Sequence, residues 1–489
     1  MKKLLIIGAS PMPEDIAESR PAGGIRSYQF LKACEGKFEI KCVAIEMAPV
    51  EKVFDESIVR VEKKDFKSVQ NVHDEFKPDL ILGVNTYPSY LACRLKTNAP
   101  IWADLNGWIM AEAEAQAFKM QSDAYLPHYF EFEKTILKRA DKFSAVSKRE
   151  EYALLGSLAW AGRLNASNFG TEMVCTIENG TEDFLSDKVL SEGEADFLNG
   201  EALSEGEAKN FSSDKALKGG AENGANSEPS ESVVSKISKD KFNILWLGGY
   251  NTWVDEELLF KGVEMAMENC PELEFVSTGG AIAGLDNKTF ERFLNWVNAS
   301  KYKDRFKFLG WVKTSEIPLI YEACSLGLNI DRICVETITG ARNRINEMMK
   351  FSLPVLTTLG SEIASKCVGA CAGFGIGRID YLGSLNNGHR GEKVVLEFRD
   401  GLIKAYELWK KDELSKMGEN GRKYIIQECN FAKVCEPFLR WDGKRTAGAT
   451  NLGDSGVGRF SAKIKGALNY IKQNGARKFL RKVVGKVVR

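Results

Sequence analysis

Apolar residues in the first 180 positions form short runs, separated by longer stretches in which they recur every three or four residues. The runs Leu4–Ile7, Ile40–Ala44, Leu80–Gly83, Ile101–Ala103, Phe143–Val146 and Val174–Ile177 are too brief for helices and suit buried strands. Strands alternating with helical patterns predict a parallel sheet covered by helices on both faces. The alternation stops at Phe184. From there to Asp240 the chain is rich in Ser, Glu, Gly, Asn and Lys, and the phrase Leu-Ser-Glu-Gly-Glu-Ala begins at Leu190 and again at Leu203. Such a stretch buries too little apolar surface to offset its ordering entropy, so residues 184–240 are expected to be a disordered insertion.

Alternation resumes at Phe242–Tyr250 and continues through Leu273–Thr278, Arg305–Val312 and Cys324–Asp331. A second α/β domain is therefore expected over 241–425, after a first over 1–183. Helices are predicted at Phe398–Trp409 and Leu414–Gln427. Between them and the strands lies Gly340–Thr358, which reads as loop, short helix and buried strand. Ile345, Met348 and Met349 share one helical face. Pro354 ends the helix, because the residue before a proline avoids the helical region. A helix that opens behind a loop presents free N–H groups and a positive dipole end, which suits phosphate. Arg342 and Arg344 sit at that end and Glu347 lies one turn in. A charged residue on an amphipathic helix is usually just on its solvated face, so this stretch decides nothing alone.

Composition narrows the classes. A length of 489 residues suggests two or three domains. A formal net charge of +0 gives no overall field for nucleic acid. Eleven scattered cysteines without a CxxC pair fit a reduced, cytoplasmic setting. The three histidines, His73, His128 and His389, argue against a histidine-rich metal site. The opening Met1–Gly8 reads as a first strand rather than a signal peptide, since Pro11, Glu14 and Asp15 follow at once. No apolar run reaches the roughly 20 residues a bilayer span needs. Residues 446–458 read as a Gly-rich flexible linker. The tail Arg459–Arg489 has no acidic residue and carries apolar positions at helical spacing. That is the pattern of a basic helix lying on an anionic membrane surface, each Lys or Arg contributing about 1 kcal/mol there. Peripheral attachment to the inner face of the plasma membrane is the expectation. Nucleic acid fits less well, because no stacking aromatics interleave the charges.

Several strand ends carry candidate chemistry. Ala22–Gly23–Gly24–Ile25–Arg26 follows the first strand and is not GxGxxG. Asp104 follows the strand at Ile101, and open α/β sheets bind ligands at the carboxyl ends of their strands. Gly248–Gly249 ends the first strand of the second domain. Together with Lys138–Ser147, Ile177–Gly180, and Glu347 before Leu353–Pro354–Val355, these features resemble GT-B glycosyltransferases, especially the retaining family 4 type. The resemblance covers Met1–Gly180 and Phe242–Trp441.

The resemblance implies an α/β GT-B architecture, with two Rossmann-like doubly wound domains facing a central cleft. A C-terminal crossover segment, 426–445, would return to the first domain, and Ile425–Trp441 resembles the last helix that makes this crossing. It implies a nucleotide diphosphate sugar as donor substrate, with no other cofactor and no metal. The sugar would pass to a hydroxyl of a glycan or lipid-linked glycan, in bacterial-type cell-surface polysaccharide synthesis. Glu347 would hold the ribose hydroxyls, and Gly23 and Gly24 would face the donor phosphates and acceptor. Gly248 and Gly249 would lie at the diphosphate. The family's Arg and Lys after that glycine pair are replaced here by Tyr250–Trp253, so the cation role passes to Arg26, Arg342 or Arg344. Trp311 and Val312 would lie beside the nucleobase. Asp104 falls on the acceptor side. The family's other Glu corresponds to Thr339, and Glu336 is three residues off that register. Asp104, Glu336 and Arg344 are thus the catalytic candidates. A nucleotide-sugar epimerase of the same fold and a catalytically inactive GT-B binding subunit remain as alternatives.

Overall fold

The computed structural model describes residues 1–13, 15, 22–48, 50, 55–182, 233–282, 286–312, 316–377, 388–450 and 471. Two lobes are built on separate sheets. The first holds strands β1 (Lys3–Ser10), β2 (Glu39–Glu46), β3 (Val59–Glu62), β4 (Leu80–Val84), β5 (Ile101–Leu105), β6 (Lys142–Ala145) and β7 (Val174–Thr176). Between them run α1 (Ala22–Cys34), α2 (Phe66–Phe76), α3 (Thr86–Arg94), α4 (Ile109–Met120), α5 (Leu126–Arg139) and α6 (Lys148–Trp160). The strands are all parallel in the order β3-β2-β1-β4-β5-β6-β7. Leu4 to Ile7 and Ile101 to Ala103 are fully buried because helices cover both faces, which is why these strands read as continuous apolar runs.

The second lobe holds β8 (Phe242–Trp246), α7 (Glu256–Met267), β9 (Leu273–Thr278), α8 (Lys288–Ala299), β10 (Phe306–Gly310), α9 (Ile317–Glu322), β11 (Leu326–Asn329), α10 (Val335–Thr339) and α11 (Asn343–Lys350). There follow β12 (Val355–Thr358), α12 (Glu362–Gly369), β13 (Gly373–Ile376), α13 (Gly388–Lys410) and α14 (Ser415–Glu428), and then, packed on the first lobe, α15 (Phe431–Val434) and α16 (Glu436–Leu439). Its strands are parallel in the order β10-β9-β8-β11-β12-β13. In both sheets the order reverses beside the first strand, β1 or β8. Such switch points open a crevice at the strands' carboxyl ends.

The chain crosses between lobes twice, at one place. Outgoing Thr181 donates its N–H to Cys429 O (2.7 Å), and returning Phe431 donates to Thr181 O (3.1 Å). This exchange breaks the helix expected over Ile425–Trp441 into the end of α14 and the short α15 and α16. The return itself is firm. Phe438 packs edge-on against Trp102 (5.1 Å between centroids) and Phe30 (5.8 Å), inside the first lobe's core.

Two expected flexible segments are ordered where the structure describes them. Residues 233–240, assigned above to the insertion, open the second lobe. Val233–Lys236 forms a 3-10 turn and Ile237 is buried in that lobe's core. Residues 446–450, assigned to a linker, lie along the first lobe. Thr446 accepts from Arg163 Nη2 at its Oγ1 (2.6 Å), Ala447 exchanges hydrogen bonds with Asn168, and Thr450 N–H donates to Gly162 O (2.8 Å). Residues 184–232 of the insertion, 451–458 of the linker and the basic tail apart from residue 471 lie outside the described residues. Among the described residues no helix is long and apolar enough to cross a membrane.

Candidate functional site

Gly248, Gly279 and Gly310 stand at the exits of β8, β9 and β10, with φ of +90°, +75° and +70°. They are pressed together. A Cβ on Gly279 would lie 2.5 Å from the carbonyl carbon of Gly248, so no side chain fits there. Gly279 N–H donates to Gly310 O (2.6 Å) and Gly248 N–H to Thr278 Oγ1 (3.0 Å). Gly249 is backed by Ile282 and by the indole of Trp311, whose Cη2 lies 3.4 Å from the position of a Cβ. Trp311 is 59% exposed. Val312 beside it is half-buried. The glycine pair and Trp311 therefore share one strand-end surface.

The entry to α11 meets that surface. Ile345, Met348 and Met349 are fully buried, which turns Arg344 and Glu347 outward on the same helix. Arg342 occupies the N-cap position without capping the helix through its side chain, leaving the opening amides free of a side-chain cap. The Arg344 guanidinium lies 4.0 Å from the Trp246 ring centroid and donates from Nη2 to Gly249 O (3.4 Å). No described carboxylate forms an ion pair with it. Burial lowers its pKa, Asp331 opposes, and an arginine remains charged. The Glu347 carboxylate receives no hydrogen bond from a described residue, and burial raises its pKa against Lys350. Tyr321 adds a group that no sequence pattern marked. It stacks on Phe351 (4.6 Å) near Arg344 and Glu347, and its buried hydroxyl has no hydrogen-bond partner among the described residues.

Arg342 is placed differently. Its Nε donates to Asp331 Oδ2 (2.5 Å), Nη2 to Glu336 Oε2 (2.6 Å), and Nη1 to Glu336 Oε1 (3.1 Å) and Ala341 O (3.0 Å). Burial alone would depress its pKa; Glu336 and Asp331 together raise it. Arg342 and Glu336 answer each other, whereas Arg344, two residues on, faces the strand ends with no carboxylate partner among the described residues.

In the first lobe Arg26 and Asp104 form a fully buried two-pronged pair. Arg26 Nε lies 3.0 Å from Asp104 Oδ2 and Nη2 lies 2.8 Å from Oδ1. The remaining Arg26 donors go to Ile177 O, Glu178 O, Asn179 Oδ1 and Gln29 Oε1. Ser144 Oγ also donates to Asp104 (2.6 Å). This pair ties the exit of β5 to the segment after β7, and every Arg26 N–H is taken by protein. Gly23 and Gly24 fall in the first turn of α1. A Cβ on Gly24 would sit 1.7 Å from Pro11 O, so the backbone after β1 already fills that side. Gly23 O accepts from Ser27 Oγ (2.8 Å) and Asn85 Nδ2 (3.0 Å).

The lobes touch directly. Ser147 Oγ donates to Thr339 O (2.5 Å), and Asn346 Nδ2 to Asn179 O (2.9 Å). Glu362 accepts from the N–H groups of Lys148 (3.1 Å) and Arg149 (2.7 Å), so a second-lobe carboxylate caps α6 of the first. Lys366 pairs with Glu178. At the far end of α4, Lys119 Nζ reaches Thr289 Oγ1 (2.9 Å) and Glu256 (3.4 Å). Between these contacts α4 packs against α10, the helix that carries Glu336.

No protein-family model matches the sequence, and a search of curated proteins finds no match either. Solved structures do match. Sucrose-phosphate synthase from Thermosynechococcus elongatus aligns over 90% of this chain and 97% of its own, at 14% identity and a TM-score of 0.57. Anabaena HepE, solved in complex with UDP and glucose, aligns over 90% and 98%, at 13% identity and a TM-score of 0.55. WaaG, a glycosyltransferase involved in lipopolysaccharide biosynthesis, aligns over 89% and 98%, at 12% identity and a TM-score of 0.54. The architecture of two parallel sheets joined by a double crossing is the GT-B fold that these proteins share.

Proposed function

We propose that this protein is a glycosyltransferase that moves a sugar from a nucleotide diphosphate sugar to a hydroxyl of a glycan or lipid-linked glycan. The observation that carries this reading is Arg344. It is a half-buried guanidinium with no ion-pair partner among the described residues, fixed over Trp246 at the glycine-lined strand ends and the mouth of α11. Breaking a glycosidic bond to a diphosphate leaves negative charge on the leaving group. A preorganised cation and free helix amides stabilise that charge more in the transition state than in the ground state. Glu347, one turn along, takes the ribose hydroxyls, and exposed Trp311 offers its face to the base. The Arg26–Asp104 and Arg342–Glu336 pairs hold the two walls in position. Lobe closure through Ser147, Glu362 and Asn346 shields the reacting centre from water. Transfer is expected to retain the sugar's anomeric configuration and to proceed without metal, so chelators should leave the rate unchanged. The neighbours' chemistry supports this reading: HepE was solved with UDP and glucose, and WaaG serves lipopolysaccharide synthesis. The basic tail would hold the enzyme at an anionic membrane surface, where lipid-linked acceptors lie.

A thermal-shift screen with nucleotide sugars tests the donor site, since a ligand that binds only the native state raises its midpoint. A UDP-sugar shift that Arg344→Ala abolishes is the expected result. No shift with any nucleotide sugar overturns the reading. One observation favours the inactive binding subunit: Glu336 and Arg342 neutralise each other. Donor binding without transfer to any of a broad acceptor panel would establish that alternative.

A further inference from the structure

We propose that Glu112, on the first turn of α4, is the first lobe's hydrogen-bonding contact to the acceptor hydroxyl. This assignment rests on the transfer reading above. The side chain folds back over the exit of β5: its Oε1 lies 2.7 Å from where a Cβ on Gly107 would stand, at a residue with φ of +107°. That is the carboxyl edge of the sheet, where open α/β sheets take their ligands. Glu112 is half-buried, on the helix that packs against α10 of the opposite lobe. Asp104 is engaged by Arg26 and Glu336 by Arg342; Glu150 accepts the N–H of Val146 at Oε2 (2.7 Å), while its buried Oε1 has no partner among the described residues. Glu112 has no such partner among the described residues.

The groups facing it are Glu336 and Arg342 from the second lobe, Glu150 from α6 and Tyr129 from α5. Burial, with Glu336 adding and Arg342 opposing, pushes its pKa up to about 8. It is therefore protonated at neutral pH, and a neutral carboxyl both donates and accepts a hydrogen bond. A sugar hydroxyl offers the same two functions in return. Keeping this group has a cost. Its folded pKa lies above the unfolded value of 4.5, so the native state binds an extra proton between these values. Stability falls as pH rises from 4.5 to about 8, and the loss is complete above that. Glutamine would escape the penalty. An unpaired acid retained at such a position points to a use beyond the fold.

The experiment compares wild type, Glu112→Gln and Glu112→Ala in transfer kinetics against pH, donor-induced thermal shift, and unfolding midpoint against pH. Glu112→Ala should raise the acceptor KM by about tenfold or more, the loss of one buried hydrogen bond, with the donor-induced shift intact. Glu112→Gln, which still donates and accepts, should keep most activity and lose the decline in transfer as pH passes about 8. Its midpoint should exceed that of wild type above pH 8 and converge with it near pH 4.5. An acceptor KM within about twofold of wild type in Glu112→Ala, with an unmoved pH profile, overturns the assignment alone. A wild-type chain that shows no donor shift overturns the transfer reading, and this assignment with it.

Discussion

Arg342 grips Glu336 with both arms of its guanidinium, Nη2 at 2.6 Å from Oε2 and Nη1 at 3.1 Å from Oε1, while its Nε holds Asp331 at 2.5 Å. All three side chains are buried. Removing the cation would leave two carboxylates without a counter-charge. Arg342→Met should therefore cost about 3–5 kcal/mol, the range for breaking a buried pair from one side. Urea unfolding measures it, and a loss below about 1 kcal/mol would show that the triad is not what holds this loop.

Arg344 should behave in the opposite way. It balances no described carboxylate, so Arg344→Ala should leave the unfolding midpoint nearly unchanged. It should lower kcat/KM for transfer by about 10²–10³, the usual effect of removing a donor to a developing oxyanion. Equal losses of stability and turnover would mark a packing role over Trp246 instead.

Glu347→Gln separates ribose from diphosphate recognition. Nucleotide-sugar affinity should fall by about tenfold or more, since a hydrogen bond to a charged group is worth about 1.5–3 kcal/mol. Pyrophosphate affinity should not change. Calorimetric titration of both ligands checks this, and a matched loss for pyrophosphate would place Glu347 elsewhere.

Gly24→Ala tests whether the glycine serves packing or ligand. The new methyl would meet Pro11 O at 1.7 Å, and backbone has to move. Loss of stability of about 1–3 kcal/mol, with donor affinity retained in the folded fraction, is the expected outcome.

Glu362→Gln weakens the cap that the second lobe places on α6. Caps are worth about 1 kcal/mol, so lobe contact should weaken by a similar amount. Small-angle scattering should show a larger radius of gyration, and donor KM should rise. An unchanged scattering profile together with an unchanged KM would show that this bond does not govern closure.

The strands were legible because burial on both faces leaves continuous apolar runs, as in Leu4–Ile7 and Phe242–Trp246. β3, with the alternating Val-Arg-Val-Glu at a sheet edge, gave no such run, and β13 is four residues with two glycines. The pairing of Arg342 was not legible. Arg342 and Arg344 are two positions apart, so continuing the helix places them about 200° apart around its axis. The pattern therefore shows that they diverge, without showing which meets the ligand. Asp331 and Glu336, which settle Arg342, lie on the other side of a loop. Arg26 likewise read as a free cation because Asp104 and Ile177 are 78 and 151 residues distant. Glu112 sits in an ordinary amphipathic helix and becomes distinctive only through what α10 brings opposite it.

The paired crossing at Thr181 and Asn430 acts as the spine of a book. Thr181 on the way out and Asn430 on the return lie side by side there, so a rotation of the second lobe about this point keeps the two described ends together. The residues after Trp441 are stitched to the first lobe as far as Thr450, through Arg163, Asn168 and Gly162. A fluorophore at residue 450 would keep its distance from one at residue 160 and change its distance from one at residue 366. The segment from Trp441 to Thr450 therefore travels with the first lobe, and its distance to the second lobe reports the angle between the two.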